Sequence, residues 1–134
     1  MRNCSFRYII LLCSLLLVCC SEETRDSDVH TRVCRAAERA YEDLARGEYE
    51  YFVDKISYVK NTDETYRQQL IDLMRDHTAD LNQRHGGLKS VHAISDTLFD
   101  DTHAAVNLLI EFNDGIKEET LLPMLKTKDG WRIQ

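Results

Sequence analysis

The stretch AAVNLLIEFNDGIKEETLLPMLKTKDGWRI, residues 104–133, decides the fold. Ala104, Val106, Leu108, Ile110 and Phe112 alternate without a break with more polar neighbours. A period of two gives one apolar face, which predicts a half-buried strand. Asn113-Asp114-Gly115 follows, and Asp-Gly between two strands is a hairpin signal because glycine accepts the positive φ of the turn. The next strand spans 116–126. Its alternation slips at Leu121-Leu122, and Pro123 has no N–H to give to a ladder, so a bulge or an edge position is expected there. Lys128-Asp129-Gly130 makes a second hairpin turn, and 131–134 is a short final strand. Upstream, 88–99 alternates imperfectly and ends at the turn Asp100-Asp101. Four antiparallel strands in sequence order are expected.

Before Gly87 the period is 3.6 instead. Val33, Ala36, Ala37, Ala40, Tyr41, Leu44 and Ala45 mark one face of an amphipathic helix, closed by Gly47. Tyr49, Phe52, Val53 and Ile56 place a short second helix. A third follows the cap-like Asn61-Thr62-Asp63-Glu64, with Tyr66, Leu70, Leu73, Met74, His77 and Leu81 on one face, and ends at Gly86-Gly87. Helices first and strands afterwards predict an α+β fold, with the N-terminal helices packed on a curved, roughly four-stranded antiparallel sheet.

The chain of 134 residues carries a formal net charge of −6. An acidic domain repels phosphate backbones, so no nucleic-acid partner is expected. Arg2 and Arg7 precede an uncharged apolar run over 8–18. That run has the length of a signal h-region and is too short to cross a bilayer, which takes about 20 residues. Four of the five cysteines, Cys4, Cys13, Cys19 and Cys20, lie in this segment or at its end. Cys34 alone lies in the domain, where it reads as a small buried side chain.

The run ends in Leu17-Val18-Cys19-Cys20-Ser21, which resembles the lipobox of bacterial lipoproteins: a leucine three residues before an acylated cysteine. The resemblance implies lipidation of Cys20, with Cys19 as the alternative register; ordinary secretion without lipid is the competing reading. It implies a signal over 1–20, a flexible tether over 21–31 and a folded domain over 32–134. The expected location is the envelope of a Gram-negative-type bacterium, on a membrane through palmitate-type acyl chains, facing the periplasm or the outside. Ser21-Glu22-Glu23 fits equally a surface-export signal or a solvated tether.

The order of helices and strands, with Ala-Arg-Gly-Glu-Tyr-Glu at 45–50 and Lys-Asp-Gly-Trp-Arg-Ile at 128–133, resembles the nuclear-transport-factor-two-like superfamily, the cystatin-like α+β cone. Within it, the resemblance is to small bacterial lipoproteins of unknown function. It implies a curved sheet around a long helix, with a cone that holds a ligand in some members and an active site in ketosteroid-isomerase-like ones. The fold by itself fixes neither.

The residues bear on four kinds of chemistry. Catalysis of the isomerase type needs a carboxylate base facing an apolar cavity. Asp43, Glu50, Asp72, Asp76 and Asp80 all fit a solvated face instead, so no catalytic residue is assigned and a non-enzymatic domain is expected. No pair of histidines stands at metal-binding spacing, so neither a metal nor a cofactor is expected. Tyr66, Leu70, Met74, His77 and Phe112 are the candidate lining of a pocket for a small apolar ligand; filling the core is the competing use of the same side chains. Leu109 and Leu121 lie on the outer sheet face and are candidates for a homodimer contact.

Overall fold

The computed structural model describes residues 22–134. The signal segment, the lipobox cysteines Cys19 and Cys20, and Ser21 lie outside the described residues. Helix α1 spans Glu22–Ala45, α2 Tyr49–Asp54 and α3 Glu64–His85, with a single 3-10 turn at Val59–Asn61 between the last two. Four strands follow: β1 Leu88–Leu98, β2 His103–Phe112, β3 Lys117–Thr127 and β4 Gly130–Ile133. They form one antiparallel meander in sequence order.

Helix α1 buries Val33, Ala37, Ala40 and Leu44. This i, i+4, i+7, i+11 stripe is apolar and mostly small, so the helix backbone lies close to the sheet. The segment expected to be a tether is helical from Glu22. Ser27, Asp28 and Thr31 are exposed and Val29 and His30 half-buried, so this stretch adds little to the core. Extending an existing helix adds a hydrogen bond per residue without a second nucleation cost. The Asp28–Arg32 ion pair at 2.6 Å, one turn apart, adds local support. Gly47, at φ 77°, closes the helix by donating to the Leu44 carbonyl.

Helix α2 buries Phe52 and Val53. The chain after it then lies against the end of β4. Ile56 bridges Ile133 in parallel, Ile133 N–H donates to the Lys55 carbonyl, and Ser57 N–H donates to the Ile133 carbonyl. Asp63 caps α3 by accepting from Tyr66 N–H at 2.8 Å. The far end of α3 is locked to the β2–β3 turn. There Asn113 Nδ2 donates to the Gly86 carbonyl and Asn113 N–H to the Gly87 carbonyl, while His85 stacks on Phe112.

The face of α3 differs from the sequence expectation. Ile71, Thr78 and Leu81 are its buried residues, with Leu70 and Met74 partly buried beside them. Tyr66, Leu73 and His77 lie about a quarter-turn away and are exposed. The helix meets the rest of the molecule along one narrow seam, so apolar spacing alone could not place that seam.

Strand irregularity also falls elsewhere than expected. The β2–β3 ladder is regular from His103↔Leu125 to Glu111↔Lys117, and β3 is an interior strand. Pro123 fits because its carbonyl faces the β4 side, where it accepts from Gln134 N–H. Its missing N–H faces the same side, past the last β3–β4 pair, Met124↔Ile133, so the β2 ladder loses nothing. The register shifts lie in β1, between Leu88 and Ser90 and between Ala93 and Ser95. Ala93 N–H, at the second shift, donates to Glu38 Oε1 of α1 at 2.8 Å.

One sheet face is covered by the helices. Val91, Val106, Leu108, Ile110, Phe112, Leu122, Met124 and Ile133 enter the core from it. The opposite face carries Asn107, Leu109, Leu121 and Pro123.

Candidate functional site

The space between helices and sheet is filled by side chains. Phe112 is 1% exposed and belongs to the core cluster, and Leu70 and Met74 pack against that cluster. Tyr66 and His77 face solvent, Tyr66 with its hydroxyl engaged by Tyr58. The five candidate pocket residues are therefore split between core and surface and line no common cavity among the described residues. Tyr41 of α1 packs partly buried against the core cluster. Its ring meets Phe52 edge-on at 6.0 Å, and its hydroxyl bonds Thr120 of β3. Burial raises the Tyr41 pKa above the ordinary phenol value, and the bond to Thr120 partly opposes this.

Two groups of ionisable residues connect the elements. Asp43 of α1 is 6% exposed and sits between the Lys55 ammonium and the Arg46 guanidinium. Lys55 also donates to the Arg39 carbonyl at 3.4 Å. A buried carboxylate needs such partners, because an uncompensated charge out of water costs several kcal/mol. On the other flank of α1, Asp96 of β1 bonds the His30 ring and accepts from the Cys34 thiol at 3.5 Å. Burial, and then the Asp96 carboxylate beside it, push the Cys34 thiol up to about 11. At neutral pH it stays protonated and is no nucleophile. Among the described residues no group of three or more His, Cys, Asp or Glu side chains is placed to hold a metal ion. No helix among them is long and apolar enough to cross a membrane.

The concave places lie on the surface. A cleft of about 240 Å³ opens between α1 and β4, with Ala36, Met124 and Ile133 as its apolar floor, Trp131 as a wall, and Arg39, Lys55 and Arg132 around it. A second, of about 450 Å³, adjoins it through Asp129 and Arg132 and is lined also by Lys60, Lys128 and Asn61. A third, of about 380 Å³, lies beside α2 between Tyr49, Tyr51, Ile71 and Arg75, where the Arg75 guanidinium sits 5.7 Å from the Tyr49 ring centre.

Sequence reading missed the first two clefts. They are assembled from α1, the segment after α2 and β4, which are far apart in the chain. The one local signal was the run Lys126, Lys128 and Arg132 around Trp131.

No family model matches the chain, and no curated protein matches it. Solved structures do. A Campylobacter jejuni protein carrying the provisional name NTF2-like transpeptidase superposes with a TM-score of 0.60 at 17% identity, over 72% of this chain and 92% of that one. A SEC-C motif containing protein from Rhodopseudomonas palustris superposes with a TM-score of 0.47 at 13% identity, over 70% of this chain and 68% of that one. At such identities the likeness speaks to the backbone and to no activity. The helices-then-meander order, the single layer of helices on one sheet face and the Campylobacter superposition agree: the chain has the nuclear-transport-factor-two-like (NTF2-like) fold.

Proposed function

We propose that the chain is an envelope lipoprotein whose NTF2-like domain binds and does not catalyse. The observation that carries this reading is the state of the interior. The space under the sheet is filled, and the buried carboxylate of α1, Asp43, is already countered by Lys55 and Arg46. An isomerase-type centre needs a carboxylate base facing an open cavity. The same observation therefore counts against the ketosteroid-isomerase-like alternative. Recognition falls to the surface.

The anchor rests on the sequence: Cys20, or Cys19 in the other register, takes the acyl chains. Two or three chains hold a protein on a membrane stably where one does not. Palmitate labelling in a bacterial host is expected for the natural sequence and lost in Cys20→Ser; persistence in that variant and loss in Cys19→Ser moves the anchor by one residue. Native mass spectrometry of the full-length protein in a mild detergent tests the domain. A retained small mass or a stoichiometric partner supports the binding reading. Turnover of a β,γ-unsaturated ketone overturns it.

A second reading is favoured by the outer sheet face. Leu121 is 67% exposed there, beside Leu109 and Pro123, while the helices occupy the opposite face. An isologous homodimer would cover it. Sedimentation velocity is expected to give a dimer for the natural sequence and a monomer for Leu121→Lys; a natural-sequence monomer at all concentrations removes this reading.

A further inference from the structure

This chain, at a net −6, gathers five cations on two adjoining clefts: Arg39, Lys55 and Arg132 on the one between α1 and β4, and Lys60 and Lys128, with Arg132 shared, on its neighbour. The carboxylate lining the clefts with them is Asp129. Lys60 holds it at 2.6 Å and Arg132 Nη2 approaches it at 3.7 Å. The Asp129 carboxyl is held below its ordinary range by the Lys60 bond and field, with Lys128 and Arg132 adding to the pull.

The cations are not equivalent. Lys55 is committed to Asp43, and Lys60 to Asp129. Arg132 Nη1 donates to the Asp54 carbonyl at 2.5 Å, so its guanidinium is fixed in place with its Nη2 toward Asp129. Arg39 makes no ion pair among the described residues and stands exposed on the rim of the smaller cleft. Below it the floor is apolar, with Met124 and Ile133 of the core, and Trp131 forms a half-buried wall. Charge at the rim over an apolar floor and an indole wall is the arrangement that takes an anion attached to a ring or short chain: the anionic head meets a guanidinium fork and the body meets the indole. The volume, about 240 Å³, falls below the roughly 300–1,000 Å³ of sites for drug-sized molecules. It suits a single ring on a short chain.

We propose that the α1–β4 cleft is a binding site for a small amphipathic carboxylate, with Arg39 receiving the carboxylate and the half-buried Trp131 indole receiving the apolar body. This deepens the reading of the domain as a binding module and rests on it. The occupant is a free small acid. An anionic lipid headgroup offers related chemistry, and the experiment separates the two.

Trp131 is the chain's one tryptophan, so intrinsic tryptophan fluorescence of the full chain, held in an uncharged detergent, reports the cleft directly. The probes are 3-phenylpropionate and its neutral isostere 3-phenylpropanamide. The acid is expected to give a saturable change at concentrations about tenfold below the amide. Arg39→Gln is expected to bring the acid down to the affinity of the amide; its far-UV circular dichroism and urea midpoint should match the natural sequence, since Arg39 is exposed and unpaired among the described residues. Equal responses to acid and amide, or none, overturn the proposal. So does a response to phosphatidylglycerol vesicles with none to the acid, which would give the cleft to lipid. Neither failure touches the broader binding reading, which is scored by retained mass and partner stoichiometry.

Discussion

Lys55→Met removes one of the two cations that compensate the buried Asp43. Breaking a fully buried ion pair by deleting one partner costs about 3–5 kcal/mol, because the other charge is left out of water. Two features reduce that here. The Lys55 side chain is 34% exposed, so water already screens the pair, and Arg46 remains beside Asp43. About 2 kcal/mol is the resulting expectation. In a domain of about a hundred residues this lowers Tm by roughly 10 °C. The assay is urea unfolding followed by far-UV circular dichroism, run as a double-mutant cycle with Asp43→Asn. In the Asp43→Asn background the lysine has no charge to compensate, so Lys55→Met should cost about 1–2 kcal/mol less there. Methionine keeps most of the aliphatic stem, which makes loss of packing a minor part of the change. A Lys55→Met protein within about 0.5 kcal/mol of the natural sequence, or a coupling near zero, refutes the reasoning. Asp43 would then be served by Arg46 and water alone.

Gly87→Ala is expected to destabilise by about 1–3 kcal/mol in the same assay, because Gly87 holds φ 96° and an added Cβ would come within 2.6 Å of Asn82 Oδ1. Phe112→Ala should cost about 3–5 kcal/mol, since the ring is buried and stacks on His85. In the folded protein Cys34 should react with iodoacetamide at neutral pH roughly a hundredfold more slowly than after unfolding, because burial and Asp96 keep it protonated; peptide mass mapping reads the site, and equal rates refute it. Stability should fall on acidification. Asp100 is held below its ordinary range chiefly by Thr102 N–H, Glu111 by Lys89, Asp114 by His85 and Asp129 by Lys60. Their contribution is present above the unfolded carboxylate values near about 4 and is lost as pH falls through the lower folded values. Urea midpoints taken against pH should therefore decline only below about 4–5.

Much of the architecture was legible in the chain itself. The alternation over 104–112, the Asn113-Asp114-Gly115 and Lys128-Asp129-Gly130 turns, and the glycines at 47 and 86–87 place every strand, and most helix boundaries, within a few residues, because periodicity and turn chemistry act on neighbours. The small-residue stripe of α1 named the face that lies on the sheet, and the meander order followed from short connections. What the chain did not disclose has a common cause. The face of α3, the helical state of 22–31, the place of the bulges and the absence of a shared cavity around Tyr66, Leu70, Met74, His77 and Phe112 all depend on which distant element each residue meets. A helix carries apolar side chains on more than one flank, and only its neighbours select the seam. A strand accepts proline when the partner beyond it has already ended, as β4 does beside Pro123.

The candidate sites separate the two levels most clearly. The export-like reading of the N-terminus, with its lipobox resemblance at Cys20, rests on the sequence alone, since that pattern is contiguous and lies outside the described residues. The sequence by itself determined the class of fold. Only the tertiary structure decided that Asp43 would meet Lys55, that Asp96 would meet His30 and Cys34, and that Arg39, Trp131 and Arg132 would surround one cleft. Most of those contacts join positions tens of residues apart, and the energies that form them, burial and charge compensation, depend on distance in space and not on distance along the chain.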